Sequence, residues 1–469
     1  MKENHIKQSP MLTLPSLGGG VNSTLVRMGG PTGNFWFAYF NGQNADDQVN
    51  CVATDINGNI YICGKSSGGA HVVKYDTDGN MLWNRIITGL LLLEWHGVAA
   101  DSSGNVYLTG YNYWQAPPGS LNYRVMTHKY NSSGSLLWQR RFVTNSNPSH
   151  EMKGCGIAID SQNLPFVGYR SGISGSMGGI AAYSTSGSLS TASVTKFGGT
   201  EYGHTVGINP NVWKLGYTIC LSYNTTITYG CYLIQKQNLS YLQGGPTWSG
   251  LFGTGQGDGA VTDDGHDIVS VNTNGECVFG VTLKGKSASY DGAVAKVNTA
   301  GTFQWGRMLG HSSDQLQTSG VAVDDSDNVY SLMTNQSQYR MVVAKWNSSG
   351  TLQWQRELYT AGVEYGYGQG IAVDNNGAVI LSFVSSGITG QSGGRRAVIF
   401  KVPDDGSLTG THGDFTYSIS NYTESSTVGH ATWQIVSASS YSFSTLNAHD
   451  IAESYSSYDP GGTSTTTSM

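Results

Sequence analysis

The stretch SGVAVDDSDNVYSLMTNQSQYRMVVAKWNSSGTLQWQR (residues 319–356) predicts four short β-strands. Apolar and β-branched residues fill 320–323, 329–333, 341–346 and 352–356, and polar turn sequences separate these segments. Runs of this length with Asp, Asn, Ser and Gly between them are typical of strands and hairpins. A lone sheet of four such strands leaves two apolar faces uncovered, so it is stable only when similar sheets stack on it.

Copies of this stretch recur along the 469-residue chain. From Asp55 to Asp374 the mean period is about 53 residues, which is typical of a propeller. The first motif starts each copy: VNCVATD (49–55), GVAAD (97–101), GIAID (156–160), TVGIN (205–209), DIVSVN (267–272), GVAVD (320–324) and GIAVD (370–374). The second motif joins a lysine strand to a tryptophan strand: VVKYDTDGNMLWNR (72–85), THKYNSSGSLLWQR (127–140), AVAKVNTAGTFQWGR (293–307) and VVAKWNSSGTLQWQR (342–356).

Three copies depart from the second motif. The third, IAAYSTSGSL (180–189), has Ala182 where others carry lysine. The fourth, LIQKQNLSYL (233–242), lacks the turn glycine, and the seventh, VIFKVPDDGSL (398–408), has no tryptophan.

Seven four-stranded units predict an all-β fold, a seven-bladed β-propeller over residues 33–418. Residues 1–32 form an N-terminal arm, and residues 419–469 form a Ser/Thr-rich C-terminal extension or tail. The isolated strand GNFWFAYFNG (33–42) resembles the last strand of a repeat and would close the ring as the outer strand of the last blade. GDFTYS (413–418) competes for that position, and the sequence leaves both possibilities open.

Within the C-terminal extension, two short segments are expected to add strands, Trp433–Val436 and Tyr441–Leu446. The final ten residues are expected to be unstructured, because they are small, polar and terminal.

The composition suits a turn-rich all-β protein rather than a disordered or nucleic-acid-binding one. Hydrophobic residues make up 38%, charged residues only 12%, and the net charge is −6. No window approaches 18 apolar residues, so we expect no membrane span. The start of the chain lacks a continuous apolar segment, so we expect no secretory signal.

The cysteines are interpreted as free thiols that act as small core residues, although two pairs could meet across hairpins, Cys51 with Cys63 and Cys220 with Cys231. No Cys-x-x-Cys or Cys/His spacing suggests zinc, and we expect no cofactor.

Three stretches resemble the SBBP repeat of bacterial seven-bladed propellers: GVAVDDSDNVY (320–330), DGAVAKVNTAGTFQWGR (291–307) and GIAVDNNGAV (370–379). They are also similar to quinoprotein-like propellers, with their G-x-L-x-W strand. The resemblance covers roughly residues 33–418. It implies a propeller in surface or binding proteins, and it defines no catalytic residue set.

Recurring polar and aromatic residues have structural interpretations. Asp/Asn-rich turns such as DINGN (55–59) and DTDGN (76–80) are interpreted as tight hairpins rather than calcium loops, because none has the distal carboxylate. The tryptophans of the fourth strands are expected to fill the wedges between blades, and the lysines before the second turn to lie solvated on the blade surface. These sets are Trp83, Trp138, Trp305 and Trp354, and Lys74, Lys129, Lys296, Lys345 and Lys401.

Candidate site residues gather at one mouth of the predicted channel. The connections before each first strand carry acidic and imidazole groups, and we interpret them as a solvated, mildly acidic rim. The loops between second and third strands vary more, and YNYWQAPPGSLNY (111–123) is the most aromatic, which suits a partner or glycan surface. The predicted binding residues are Tyr111, Tyr113, Trp114, Tyr123, Trp95, Tyr223, Tyr365 and Tyr367.

The favoured function is non-catalytic attachment or assembly. The low charge, the Gly/Ser/Thr/Tyr-rich composition and the two polar arms are similar in composition to bacteriophage virion appendages, such as a tail fibre or a capsid decoration that serves host attachment. The expected partners are other virion proteins held through both terminal arms, a cell-surface glycan and a second copy in a homo-oligomer. The expected location is the virion, or otherwise the extracellular space or cell surface.

The alternative is a polysaccharide lyase or glycosidase acting at the acidic mouth. Its candidate acid and base residues are Asp264, His266, Glu364, Tyr365 and His96.

Overall fold

The structure is a computed structural model. It describes residues 22–28, 35–41, 46–66, 69–88, 92–116, 120–144, 152–171, 177–197, 200–209, 214–223, 229–238, 248–254, 269–272, 274–284, 290–310, 314–360, 366–386, 388, 394–425, 431–435, 441–445, 448–452, 457–458 and 464–468. Within these ranges all regular secondary structure is β-strand.

Two strands precede the repeats, β1 (Asn22–Met28) and β2 (Phe35–Asn41). The repeat strands are β3 (Asp47–Thr54), β4 (Ile60–Ser66), β5 (Gly69–Tyr75), β6 (Met81–Ile87), β7 (Glu94–Ala100), β8 (Val106–Ala116), β9 (Ser120–Tyr130), β10 (Leu136–Thr144), β11 (Met152–Ile159), β12 (Pro165–Ser171), β13 (Met177–Tyr183), β14 (Leu189–Phe197), β15 (Thr200–Asn209), β16 (Lys214–Tyr223), β17 (Tyr229–Asn238), β18 (Trp248–Thr254), β19 (Val269–Val271), β20 (Cys277–Lys284), β21 (Tyr290–Val297), β22 (Phe303–Gly310), β23 (Leu316–Val323), β24 (Val329–Asn335), β25 (Arg340–Trp346), β26 (Leu352–Thr360), β27 (Gly366–Val373), β28 (Val379–Ser385) and β29 (Arg396–Val402). The remaining strands are β30 (Gly410–His412), β31 (Phe415–Ile419), β32 (Thr423–Ser425), β33 (Ala431–Ile435), β34 (Tyr441–Thr445), β35 (Ala448–Ala452), β36 (Ser457–Tyr458) and β37 (Ser464–Ser468).

The described strands form several antiparallel four-stranded units, each extended by one or two further strands. The strand orders are sheet 1 (β3-β4-β5-β6-β36), sheet 2 (β7-β8-β9-β10-β35), sheet 3 (β11-β12-β13-β14-β34), sheet 4 (β15-β16-β17-β18-β33), sheet 5 (β19-β20-β21-β22-β32), sheet 6 (β23-β24-β25-β26-β31-β30) and sheet 7 (β27-β28-β29-β2-β1-β37). Each copy of the first sequence motif overlaps the first strand of one sheet, so the predicted repeat starts are confirmed.

Neighbouring sheets pack face to face through apolar residues, as the repeat pattern predicts. The first strand of each sheet contacts the first strand of the next, from β3 through β7, β11, β15, β19 and β23 to β27, and β27 contacts β3. One apolar cluster joins sheets 7 and 1 and includes Trp36, Ile62, Val73 and Ile399. Further clusters join sheets 1 and 2, sheets 2 and 3, and sheets 5 and 6.

The choice between the two candidates for the last outer strand is decided in favour of β2. Trp36 pairs with Lys401 and Phe40 with Ala397, so β2 is the fourth strand of sheet 7. The competing segment forms β31, which pairs with β26 as the fifth strand of sheet 6. Trp36 therefore supplies the tryptophan that the seventh copy lacks in its own sequence.

The first strands of six sheets, which we call inner strands, share a one-residue irregularity in their pairing register with the second strand. Such a β-bulge bends the strand and re-aims one side chain. The residues at the bulge are Asn50, His96, Cys155, Gly203, Ser319 and Gln369. Gly97 and Gly156 follow the bulges of β7 and β11, and these two strands approach closely. A Cβ on Gly97 would lie only 2.9 Å from the Gly156 Cα, so a larger residue would not fit there.

The Asp turns have the structural role predicted for them. Asp55 Oδ1 accepts backbone N–H bonds from Asn57 and Asn59, both at 2.9 Å. Its Oδ2 accepts from the Asn59 amide at 2.8 Å and from the Tyr61 hydroxyl at 2.9 Å. Gly58 adopts a φ of 76°, which explains glycine at that turn position.

The fourth-strand tryptophans fill the space between sheets, as predicted, and they also bind the next sheet. Each indole packs on a turn glycine of the next sheet, and its N–H donates to a carbonyl of the same turn. We call this arrangement the tryptophan clasp. Its hydrogen bonds are Trp83 to Ser132 (3.0 Å), Trp138 to Thr185 (3.1 Å), Trp305 to Ser348 (3.0 Å) and Trp354 to Asp404 (2.7 Å).

The prediction that the repeat lysines are solvated on the blade surface is wrong. Their side chains are buried beside the clasp, where the surrounding sheets exclude water. Lys401 Nζ lies 2.9 Å from Asp374 Oδ2, and Lys74 Nζ lies 3.9 Å from Asp55 Oδ2. Burial lowers the pKa of Lys74, against the neighbouring carboxylate, which raises it. Each carboxylate compensates a buried charge that would otherwise be costly.

The C-terminal segment adds one strand to the outer edge of each sheet in turn. It passes sheet 6 (β31), sheet 5 (β32), sheet 4 (β33), sheet 3 (β34), sheet 2 (β35), sheet 1 (β36) and finally sheet 7 (β37). We call β31–β37 the C-terminal belt. The two predicted extra strands are β33 and β34. The prediction of an unstructured end is wrong, because β37 pairs in parallel with β1 and satisfies backbone groups of that edge.

Among the described cysteines, Cys51, Cys63, Cys155 and Cys277 are not in disulfides. Cys51 and Cys63 are direct register partners across β3 and β4. Cys220 pairs instead with Tyr232, and Cys231 with Leu221, so this second pair is offset by one position.

Candidate ligand-binding site

Aromatic side chains of the long hairpin β8–β9 meet charged and imidazole side chains from β4 of sheet 1, β7 of sheet 2 and β11 of sheet 3. Tyr111 and Tyr113 lie two residues apart on β8, so they share one face of the hairpin. Tyr113 pairs with Tyr123 across the hairpin. We call the group the Tyr111 cluster; its members are Lys65, Glu94, His96, Tyr111, Tyr113, Tyr123 and Lys153.

Glu94 is the polar centre of the cluster. Its Oε2 accepts a hydrogen bond from the Tyr111 hydroxyl at 2.8 Å and lies 3.4 Å from His96 Nε2. Its Oε1 accepts from Lys65 Nζ of sheet 1 at 2.5 Å. Burial alone raises the pKa of Glu94, but hydrogen bonds with His96, Lys65 and Tyr111 outweigh it and lower the pKa to about 2. Glu94 is therefore an anion at any physiological pH.

The aromatic rings pack closely against one another. His96 lies against Tyr111 with ring centroids 4.9 Å apart and an interplanar angle of 18°. Tyr123 meets the Tyr111 ring edge-on at 5.0 Å. The rings of Tyr113 and Tyr123 are 4.0 Å apart, and their hydroxyl groups contact each other. Tyr111 is nearly buried, whereas Tyr113 and Tyr123 are partly exposed, so these two form the outer surface of the cluster.

Sheet 3 contributes a cation to the same surface. Lys153 Nζ lies 3.8 Å from the ring centroid of Tyr123 and 4.6 Å from that of Tyr111. A cation over the face of an aromatic ring is attracted by the negative charge of that face. Lys153 therefore ties the hairpin of sheet 2 to the first strand of sheet 3.

The β-bulge of β7 explains why these groups meet. The register shifts between Trp95 and Gly97, so His96 is the bulged residue, and Glu94 lies two residues before it. Lys153 has the same relation to the bulge residue Cys155 on β11. Sequence reasoning missed Lys153. Aligning the first strands on the bulge would have placed it at the position of Glu94.

Three of the predicted binding residues, Tyr111, Tyr113 and Tyr123, come together in the cluster. Trp95 lies on the other face of β7 with no exposed surface, and its ring meets the His128 ring at 4.7 Å. It therefore supports the hairpin from beneath. The other predictions are less defined: Trp114 (β8), Tyr223 (β16) and Tyr367 (β27) have side chains outside the described part, and Tyr365 lies outside the described residues altogether.

The described carboxylates of the predicted acidic rim are buried or hydrogen-bonded, not freely solvated as predicted. Asp47 and Asp314 are buried, and Asp314 accepts a hydrogen bond from Asn335 at 3.0 Å. Asp46 accepts two hydrogen bonds from Arg395, at 2.7 and 2.9 Å, which link sheet 1 to sheet 7. These carboxylates therefore have structural partners, within one sheet for Asp314 and between two sheets for Asp46.

Of the acid and base candidates, only His96 lies within the described residues; Asp264, His266, Glu364 and Tyr365 do not. Within the part of the chain that is described, no group of three or more His, Cys, Asp or Glu side chains is arranged to hold a metal ion. In the same part, no helix is long and apolar enough to cross a membrane.

Residues 36–69 match a family model described as a β-propeller repeat, SBBP. The match extends from β2 into the start of β5, so it runs from the outer strand of sheet 7 into sheet 1. It supports the resemblance to β-propeller repeats that the motifs indicate. No curated protein matches the chain.

Three solved structures are similar to this chain at low sequence identity. The crystal structure of polysaccharide lyase Uly1 is 10% identical, with a TM-score of 0.40, and the match covers 78% of this chain and 92% of that chain. A glucose dehydrogenase is 10% identical, with a TM-score of 0.36 and coverage of 76% and 98%. The WD40 domain of SCAP from fission yeast is 9% identical, with a TM-score of 0.34 and coverage of 75% and 95%. Their activities are not transferred to this chain.

Proposed function

We propose that the protein is a non-catalytic binding scaffold, a closed seven-bladed β-propeller that presents the Tyr111 cluster to a glycan or protein partner. The observation that carries the proposal is the cluster itself. It brings two partly exposed tyrosine rings of the β8–β9 hairpin together with the Lys153 ammonium of sheet 3 and the ionised Glu94 carboxylate of β7. Aromatic faces stack on sugars and side chains, and fixed charges orient the polar groups of a ligand.

Rigidity supports binding as the role of this surface. The Tyr111 side chain is held by Glu94, His96 and Lys153, so little side-chain entropy remains to be lost on binding. Arg124, the neighbour of Tyr123 in sequence, is buried and donates to the Tyr123 carbonyl at 2.9 Å. A preorganised aromatic surface of this kind is typical of recognition sites.

Binding is tested by titrating the purified protein with neutral and acidic oligosaccharides on an array, followed by calorimetry of any hit. Tyr113→Ala with Tyr123→Ala is expected to weaken binding about tenfold or more, as for central aromatic contacts. The matched control is Tyr359→Ala on sheet 6, where Arg340 lies 4.6 Å from the ring centroid in a comparable cation–π pair. Equal affinity of the double variant and the parent would contradict the assignment of this surface.

We further propose that the scaffold belongs to a virion, as a tail fibre, tail appendage or capsid decoration, with other virion proteins as partners. The support is compositional: 12% charged residues, 64 glycines, and Ser/Thr-rich sequence at the C-terminal end. Mass spectrometry of purified particles, with antibody labelling in the electron microscope, tests this placement. Absence of the protein from gradient-purified particles would contradict it.

An alternative enzymatic function is favoured by one arrangement, the linked set of Tyr111, Glu94 and His96. A tyrosine hydroxyl and an imidazole that share a carboxylate can exchange protons with a bound sugar. Under this alternative the protein is a polysaccharide lyase or glycosidase. Release of new reducing ends from acidic polysaccharides measures it, and both His96→Ala and Tyr111→Phe should abolish the activity.

A further inference from the structure

The tryptophan of the clasp has the same cross-strand partner in every sheet except sheet 3. A lysine on the third strand pairs directly with a tryptophan on the fourth. The pairs are Lys74–Trp83, Lys129–Trp138, Lys236–Trp248, Lys296–Trp305, Lys345–Trp354 and Lys401–Trp36. In sheet 3 the same position holds Ala182 and Thr191. Sheet 3 therefore lacks both the lysine and the tryptophan of this pair, and with them the indole that sheets 1, 2, 5, 6 and 7 place against their neighbours.

The third component of the clasp is also absent from sheet 3. In sheets 1 and 2 an arginine two residues after the tryptophan donates to the next sheet's turn glycine, Arg85 to Gly134 at 2.7 Å and Arg140 to Gly187 at 2.8 Å. Ser193 occupies that position in sheet 3.

The receiving side has changed in parallel. A turn glycine stands five residues after the lysine position in the other copies. The indole of the preceding sheet packs on four of these glycines, Gly134, Gly187, Gly350 and Gly406, so closely that a Cβ on Gly187 would lie 2.6 Å from the Trp138 ring. In the fourth copy the corresponding residue of the sequence is Tyr241. Sheet 3 thus lacks the tryptophan, and the copy that follows lacks the glycine that would accept it.

The Asp160 carboxylate of sheet 3 has also lost the side-chain partners that its counterpart Asp55 has in sheet 1. Its Oδ1 accepts the N–H groups of Gln162 and Leu164, at 2.9 and 2.8 Å, as in the other Asp turns. Its Oδ2 is buried and accepts no hydrogen bond from any residue that the structure describes. The three groups that surround Asp55 Oδ2 in sheet 1 have apolar counterparts in sheet 3: Asn59 corresponds to Leu164, Tyr61 to Phe166, and Lys74 to Ala182.

We propose that the junction between sheets 3 and 4 is the point at which the ring opens. This goes beyond the binding function and rests on the ring proposed with it. The obvious competitor is the junction of sheets 7 and 1, where the ring is closed by strands distant in sequence. That junction keeps the indole and the ammonium of the clasp, since Trp36 and Lys401 both donate to the Thr77 carbonyl at 3.1 Å. It also has the paired Asp46 and Arg395. Opening therefore begins at sheets 3 and 4, where these contacts are replaced by small or apolar residues.

Hydrogen exchange with mass spectrometry on the full-length protein tests the proposal. Amides of β13 and β14 are expected to exchange about tenfold or more faster than those of β9 and β10, their counterparts in sheet 2, because local opening governs exchange. Fastest exchange in β2 and β29 would instead place the opening at the closure and overturn the proposal. Electron microscopy shows separately whether the ring is closed. A closed ring whose fastest exchange lies outside sheets 3 and 4 would overturn this proposal and leave the proposed function standing.

Two variants sharpen the comparison. Trp138→Ala removes the clasp between sheets 2 and 3, and should bring the exchange of β9 and β10 up to that of β13 and β14. Ala182→Lys with Thr191→Trp restores two clasp residues in sheet 3, and should slow exchange of β13 and β14. If Trp138→Ala leaves exchange in sheet 2 unchanged, the clasp does not control opening and the proposal fails, even if the restored variant does not fold.

Discussion

The indole N–H of Trp36 donates to the carbonyl of Thr77 at 3.1 Å, across the junction between the last and first sheets. Trp36 is on β2, ahead of every repeat, yet it pairs with Lys401 near the end of the repeats. The same contact joins consecutive sheets elsewhere, for example Trp83 to Ser132. The closure of sheet 7 therefore uses the same chemistry as the junctions between sheets that follow one another in the chain.

Trp36→Ala should destabilise the protein by about 3–5 kcal/mol, as for other large-to-small substitutions in a core. Trp354→Ala, which removes the equivalent clasp between sheets 6 and 7, should have a similar effect. Urea unfolding followed by tyrosine fluorescence measures both. Trp36→Phe separates the ring from the hydrogen bond and should lose less. A Trp36→Ala protein as stable as its parent would show that β2 does not hold sheet 7.

Lys401→Met should destabilise the protein by roughly 3–5 kcal/mol, because it leaves the buried Asp374 carboxylate without its cation. Lys401 Nζ and Asp374 Oδ2 are 2.9 Å apart, and both side chains are almost fully buried. Adding Asp374→Asn to Lys401→Met should recover much of the loss, since the unpaired charge is then removed. A double-mutant cycle in urea measures the coupling. Additive effects of the two substitutions would contradict a buried ion pair.

Asp160→Asn should stabilise the protein at neutral pH by roughly 1–3 kcal/mol, because it removes an unpartnered buried charge. Burial raises the pKa of Asp160 above its ordinary value of 3.8, against backbone hydrogen bonds that lower it. Below 3.8 the carboxyl is protonated in both folded and unfolded chains, so it carries no penalty there. As the pH rises through the folded-state pKa, ionisation of the buried group reduces stability. The gain from Asp160→Asn should therefore grow from acid to neutral pH.

Asp101→Asn is the matched control for Asp160. Asp101 Oδ2 accepts from Asn105 at 2.8 Å and from Tyr107 at 3.1 Å, with Lys129 at 3.9 Å. Here the substitution should destabilise the protein at neutral pH. Thermal melts of both variants across the pH range give the comparison, and the same sign for both would refute the distinction between these turns.

Removal of residues 426–469 should lower the melting temperature and cause concentration-dependent self-association. The deletion takes away β33–β37 and leaves the outer edges of β18, β14, β10, β6 and β1 unpaired. Unpaired strand edges are templates for pairing between chains. Sedimentation velocity over a range of concentrations measures association. A monomeric truncated protein with unchanged melting would show that the belt contributes nothing to the edges.

The sequence predicted the repeat sheets well because their signals are local. The alternation in 319–356, the Asp turns and the tryptophans in the fourth strands are set by residues close together in the chain. The position of β2 remained open because an edge strand is chosen by its partner, and that partner lies more than three hundred residues away. The belt was only partly predicted, since strands such as Ser464–Ser468 have polar sequences that become strands only against an existing edge.

The candidate site was predicted in part for a similar reason. Tyr111, Tyr113 and Tyr123 lie on one hairpin, so their proximity could be read from the loop sequence. Lys153 belongs to another sheet, and its approach to Tyr123 depends on how two inner strands align at their bulges. The buried lysines were misjudged because their carboxylate partners lie on other strands, as with Asp374 and Lys401.

Cryo-electron microscopy of the full-length protein is the most direct test of the central claim, that seven sheets close into one ring through β2. We expect a ring of seven blades in which residues 35–41 form the fourth strand of the blade built from β27, β28 and β29, with Trp36 against Thr77. A map with another number of blades, or with β31 in the place of β2, would contradict it.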